Sequence, residues 1–157
     1  MKKDDVIETF NLLQTDEKTK KVFDADISAR IPYRLHCCVY NHDREVWVED
    51  DILYNYDLGG NCQTLKVLNE LGACLMYYQI RPYLRPMSDM TEDERKYITD
   101  KCGFTTMGPI GGDFGLVMPV VATEWLVDFY NSRHLDWRGM IEKGLALKAP
   151  EGMYNIK

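Results

Sequence analysis

The stretch Ile31-Pro32-Tyr33-Arg34-Leu35-His36-Cys37-Cys38-Val39-Tyr40 decides the fold class, because here the apolar period drops to two. Leu35, Cys37 and Val39 alternate with Arg34, His36, Cys38 and Tyr40, which places the two sets on opposite faces of a strand. Asn41-His42-Asp43-Arg44 reads as a turn, after which Val46 and Val48 resume on one face with Trp47 on the other. Residues 31–40 and 45–54 are therefore expected to pair as an antiparallel hairpin. Asp57-Leu58-Gly59-Gly60-Asn61 is a second turn cluster. Residues 62–71 fit helix or strand, and 73–84 read as strand as far as Arg81, since the residue before Pro82 is pushed extended.

On either side of this region the period is helical. Val6, Ile7, Phe10 and Leu13 are spaced for one face of a short helix behind Asp4 and Asp5, with residues 15–21 as its polar exit. Thr91-Glu92-Asp93-Glu94 is a capping box, expected to open a helix that runs to about Lys101 with Gly103 as its stop. Residues 104–118 carry four glycines and read as a long loop. Pro119 suits the first turn of a further helix with Val121, Trp125, Leu126 and Phe129 as its apolar stripe. Asp136 is placed to cap a last short helix over 137–143, closed by Gly144. The expected fold is α+β: a small antiparallel sheet in the N-terminal half followed by a helical C-terminal half. It forms a single domain over 1–157, with a helix in 1–22, a strand-rich part in 28–86, a helical part in 91–148 and a tail in 149–157.

The 157 residues suit one compact core, and 45% hydrophobic with 28% charged residues is the balance of a globular chain. The net charge of −6 divides evenly, −3 in residues 1–86 and −3 in 87–157. No basic arm exists to follow a phosphate backbone, so long nucleic acid is not the expected partner. The charged start Met1-Lys2-Lys3-Asp4-Asp5 lacks the apolar run of a secretory signal, and no stretch reaches the roughly 18 apolar residues of a membrane span. Five cysteines at irregular spacing, without a C-x-x-C, fit reduced thiols in a cytoplasmic compartment.

Several side chains invite chemistry. His36, Cys37, Cys38 and His42 suggest zinc, but neighbouring cysteines on a strand point apart, and Cys37 falls on the apolar face. Neither a metal nor a cofactor is expected. Asp43, Glu45, Glu49, Asp50 and Asp51 lack the pattern of a calcium loop and read as a solvated hairpin rim. Arg81-Pro82-Tyr83-Leu84-Arg85-Pro86, with Tyr77 and Tyr78 upstream, combines guanidinium groups with aromatic rings, a mixture that stacks bases and holds phosphates. The backbone amides of Gly111 and Gly112, beside Asp113, form a glycine-rich stretch that can approach an anion, although the G-K-[ST] of a phosphate loop is missing. The candidate binding residues are thus Tyr77, Arg81, Tyr83, Arg85, Gly111, Gly112 and Asp113.

Residues 80–92, Ile80-Arg81-Pro82-Tyr83-Leu84-Arg85-Pro86-Met87-Ser88-Asp89-Met90-Thr91-Glu92, resemble a segment of small uncharacterised proteins encoded by phages and prophages of gut anaerobes. So do Trp125-Leu126, Leu135-Asp136-Trp137-Arg138-Gly139-Met140-Ile141-Glu142-Lys143-Gly144-Leu145-Ala146 and Ala149-Pro150-Glu151-Gly152-Met153-Tyr154-Asn155. The resemblance implies a phage or mobile-element origin and supplies no activity. The leading expectation is a non-catalytic accessory protein in the host cytoplasm that binds a host or phage protein. A patch around Tyr77, Tyr83 and the 104–118 loop would do so. The second is a protein that binds a small nucleotide signal, with Arg81 and Arg85 on its phosphate; burial of Arg85 against an internal carboxylate would defeat it. The third is a hydrolase using Cys38, or His134 with Asp136.

Overall fold

The structure, a computed structural model, describes residues 3–41, 44–57, 61–65, 75–102 and 120–154. Its order is α1 (Lys3–Thr15), α2 (Glu17–Arg30), β1 (His36–Asn41), β2 (Val46–Tyr56), β3 (Asn61–Thr64), β4 (Leu75–Met76), β5 (Ile80–Leu84), α3 (Glu92–Cys102), α4 (Val120–Ser132) and β6 (Leu147–Lys148). The strands form one sheet in the order β4-β3-β2-β1-β5-β6, antiparallel except for the parallel β5–β6 pair. This is the α+β arrangement expected from the sequence.

The hairpin pairs Val39 with Val48, Tyr40 with Trp47 and Asn41 with Val46. The strand starts later than expected. Ile31–Tyr33 make a single 3-10 turn around Pro32, and Arg34 at φ 59 redirects the chain into β1. Between the Val39–Val48 and Cys37–Asp51 pairs the register slips. Glu49 and Asp50 there oppose Cys38 alone, a bulge in which Asp50 takes φ 55 and its carboxylate meets His36 Nδ1 at 2.6 Å. Asp51 is correspondingly buried rather than part of a solvated rim.

The N-terminal part departs most from expectation. Residues 17–30, of which 17–21 were expected to belong to a polar exit, form a second helix. Asp16 caps it by accepting from the backbone N–H of Lys18 (3.1 Å) and Thr19 (3.3 Å). Its inner face holds Phe23 and Ile27, which join Leu13 of α1 and Leu35, Cys37, Val39, Leu53, Ile80 and Leu84 of the sheet in the main core. Each such side chain contributes about 1.5–3 kcal/mol when removed from water. The same face buries Asp26 and Arg30, both 0% exposed, joined by two N–H···O bonds of 2.8 and 3.0 Å. Arg30 also donates to the Leu135 carbonyl at 2.9 Å, tying α2 to the chain beyond α4.

On the opposite face of the sheet Cys38, Tyr83 and Ala149 pack with Trp47, Leu147, Met153 and Tyr154. Cys37 and Cys38 therefore lie in different cores, as strand alternation requires. A third cluster of Met90, Ile98, Leu126, Phe129, Tyr130 and Leu135 joins α3 to α4. The capping box of α3 closes reciprocally: Glu94 N–H donates to Thr91 Oγ1 (3.2 Å) and Thr91 N–H to Glu94 Oε2 (2.8 Å). Residues 137–143 form turns rather than a helix. Asp136 accepts from Met140 N–H (2.7 Å) and Ile141 N–H (2.9 Å), and Gly144 at φ 70 ends the turn. Gly103 and Pro119 fall outside the described residues. No helix among the described residues is long and apolar enough to cross a membrane.

Candidate functional site

The outer edge of β5 organises the candidate residues. Two separate pieces of the C-terminal chain bond to it. Leu135 bridges Arg85, with Arg85 N–H to the His134 carbonyl and Asp136 N–H to the Arg85 carbonyl, both 2.8 Å. Further back, β6 pairs with Tyr83 and Leu84 only.

Arg85 is 8% exposed and turned inward. Its Nη1 and Nη2 donate to Glu94 Oε1 and Oε2, each at 2.9 Å, to the Arg133 carbonyl (3.2 Å) and to the Asp89 carbonyl (2.7 Å). Burial pushes the Glu94 carboxyl up, and the Arg85 and Thr91 hydrogen bonds more than reverse it, so its pKa lies below the ordinary value. Those four donations leave Arg85 holding α3 to β5. The expectation that it grips a ligand phosphate is corrected: it sits against an internal carboxylate.

Tyr83 is 8% exposed, so it offers no open ring for a base or a partner. Its side chain hydrogen-bonds the Cys38 thiol, and burial, foremost among the causes, raises the pKa of both groups. A buried thiol held protonated in this way is a poor nucleophile. Tyr77 lies in the 3-10 turn before β5, and its side chain is outside the described residues. Gly111, Gly112 and Asp113, with the whole 104–118 loop, are likewise outside them.

The His134 and Asp136 pair does not assemble either. The Asp136 carboxylate accepts from the two turn amides described above, while His134, 3% exposed, donates Nε2–H to the Tyr33 carbonyl at 2.9 Å. The carbonyl fixes that tautomer, leaving Nδ1 as a buried lone pair without a partner among the described residues. The ring stacks on Tyr154 at 3.9 Å between centroids, and His36 meets the edge of Tyr154 at 5.2 Å. Burial, aided by the charges of Arg30 and Arg85, lowers the His134 pKa to about 3.

Arg81, 2% exposed, is placed differently. Its Nη1 donates to the Tyr78 (3.2 Å) and Ile80 (3.0 Å) carbonyls, Nη2 donates to Thr9 Oγ1, and the guanidinium lies 6.0 Å from the Trp47 ring. It forms part of the lining of a cleft of about 360 Å³, whose other residues are Glu8, Thr9 and Leu12 of α1 and Ile141, Lys143, Gly144, Ala146 and Leu147.

A second feature lies on the helical half. Tyr97, 45% exposed, stands 5.6 Å from the Trp125 ring and 5.4 Å from Phe129, and Arg133 lies over Phe129 at 5.7 Å. Sequence reasoning assigned Trp125 and Phe129 to a helix core and passed over Tyr97 and Arg133. Tyr97 at the sixth helical position after Thr91 was the available signal, since it falls off the stripe that includes Ile98. This chain matches no protein-family description, no curated protein and no solved structure.

Proposed function

We propose that this protein is a non-catalytic binding protein that docks on another protein through the face formed by Tyr97 and Trp125. The observation that carries this reading is the exposed Tyr97 ring against the half-buried Trp125, both in contact with the buried Phe129, with Arg133 over Phe129. Tyrosine, tryptophan and arginine are the side chains that dominate protein–protein binding energy, because they cover large areas with few rotatable bonds. Tyr97 leaves almost half its surface in solvent while its ring already contacts two others, so a partner meets a pre-ordered surface. The reading is also supported by how the reactive-looking groups are engaged: Arg85, Asp136, His134 and Cys38 each hold one part of the chain to another. The resemblance of residues 80–92 and 124–155 to phage and prophage proteins makes a host-cell protein the partner class.

The test is affinity capture from a host lysate with the native chain and with Tyr97→Asp, at equal protein concentration. A protein retained by the native chain and lost with the variant supports the reading, provided both melt at the same temperature. Capture that is unchanged by Tyr97→Asp and Trp125→Ala removes this face as the docking site.

A further inference from the structure

We propose that the cleft beside Arg138 binds a small dianion, a phosphate monoester or a dicarboxylate, held by the Arg138 guanidinium and the Lys18 ammonium group. The site is lined by the first turns of α2 and by the 137–143 turns, whereas the docking face belongs to α3 and α4.

One carboxylate here faces two guanidinium groups. Asp26, 0% exposed, accepts from Arg30 Nε at 2.8 Å on one oxygen and from Arg30 Nη2 at 3.0 Å on the other. Arg138 Nε lies 3.3 Å from Oδ1, the oxygen already bonded to Arg30 Nη2, and makes no hydrogen bond there. Arg30 Nη1 and Arg138 Nε are thus both buried nitrogens without a hydrogen-bond partner among the described residues. Burial lowers the Arg138 pKa, the Asp26 charge raises it by less, and the Arg30 charge lowers it again. The cluster carries one positive charge more than its carboxylate can match, and an anion arriving beside Arg138 supplies the missing partner.

Arg138 is also reachable. Its side chain is 23% exposed, and the guanidinium lies over the Trp137 ring at 4.1 Å, which holds its plane in advance of binding. Neither Nη1 nor Nη2 donates to a described residue, so the outer edge of the fork can take two oxygens side by side. The cleft it lines is about 570 Å³, within the range for ligand sites, roughly 300–1,000 Å³. Val22 gives the cleft an apolar wall, and Lys18 is exposed and has no ion pair among the described residues. Both carboxylates of the lining are engaged: Asp16 accepts from the Lys18 and Thr19 amides and the Thr19 hydroxyl, and Glu17 pairs with Lys21 at 2.7 Å. The start of α2 is therefore already capped, and the cations left for a ligand are Arg138 and Lys18. Two such charges match a dianion better than a monoanion.

Phosphate monoesters and dicarboxylates share this chemistry, and the experiment separates them. Phenyl phosphate, inorganic phosphate and succinate are each titrated into the full chain at an ionic strength held constant with sodium chloride, followed by nuclear magnetic resonance. At least one is expected to bind with a Kd of about 1 mM or tighter and to shift the Lys18, Val22 and Arg138 amides together with the Trp137 indole N–H. Response to either phosphate without succinate identifies a phosphate site, response to succinate alone a dicarboxylate site, and response to both classes a dianion site that takes either. Lys18→Glu, at an exposed position, is expected to weaken binding about fivefold with no loss of melting temperature. Arg138→Gln is expected to weaken it about tenfold or more, in a chain where Asp26 keeps both bonds from Arg30. The proposal is overturned if none of the three shifts those signals at about ten times that concentration, or if both variants leave every affinity unchanged.

Discussion

Arg81 and Arg85 occupy equivalent-looking places on one edge of the sheet, four residues apart, each following the same alternation and each almost fully buried. Their surroundings have little in common. Arg85 meets a carboxylate and two carbonyls brought by α3 and by the end of α4, and the contact is closed to solvent. Arg81 is pinned by carbonyls of its own segment and a hydroxyl of α1, beside a cleft. A guanidinium on a strand thus ties together different parts of the chain according to what the rest of the chain lays beside it. The strand sequence alone does not distinguish the two.

The largest expected effect breaks the brace. Arg85→Ala leaves the Glu94 carboxylate buried without its partner, and the loss is expected to be about 3–5 kcal/mol, read as a lower urea midpoint. Arg81→Met is expected to cost less, because water entering the cleft can replace the bonds it gave up. Equal losses from the two variants would erase the distinction between closed and open ends of the strand.

Acid titration sharpens the same comparison through His134, whose backbone is bonded to Arg85. An unfolded histidine takes up a proton below about pH 6.5, whereas the folded ring resists until about pH 3. Across that window the unfolded state binds more protons, so stability falls as the pH falls. The expected loss is about 2 kcal/mol at pH 5, and His134→Gln, which can keep a donor for the Tyr33 carbonyl, is expected to flatten that slope in urea titrations. Glu94 acts in a lower window: its lowered pKa contributes stability above the ordinary glutamate value, and that contribution disappears as the pH drops below it.

Smaller effects follow at the surface of each end. Thr91→Ala removes the hydroxyl that caps α3 beside Glu94, and about 1 kcal/mol of stability should go with it in thermal melts. Lys143→Glu, at an exposed position of the 137–143 turns, should leave stability within about 0.5 kcal/mol of the native chain in the same melts. A large loss of stability there would mean that the bond from Lys143 Nζ to the Arg138 carbonyl holds the turn.

The hairpin, α1, the capping box and α4 were legible because each carries a local signal: alternation, helical spacing or a reciprocal cap. The α2 helix was not, because its buried face interleaves Phe23 and Ile27 with Asp26 and Arg30, and an internal ion pair reads as solvated surface. The i,i+4 pairs Glu17–Lys21, Lys20–Asp24 and Asp26–Arg30 were the overlooked evidence. The two-residue β6 is too short to have a period, yet it determines where the cleft opens. The stack of His134 on Tyr154 joins residues from two turns, and no spacing rule anticipates it. Tyr83 and Arg85 were recognisable as unusual, but an arginine four residues after another gives no hint that nine residues later Glu94 returns to meet it.

A double-mutant cycle on Arg85→Met and Glu94→Gln, measured by urea unfolding, tests most directly whether the conspicuous arginine of this motif holds the fold. Internal bracing predicts strong coupling, with each single change losing far more stability than the second change adds, an interaction of about 2–3 kcal/mol. Losses that simply add, within about 0.5 kcal/mol, would show that the two side chains do not brace each other.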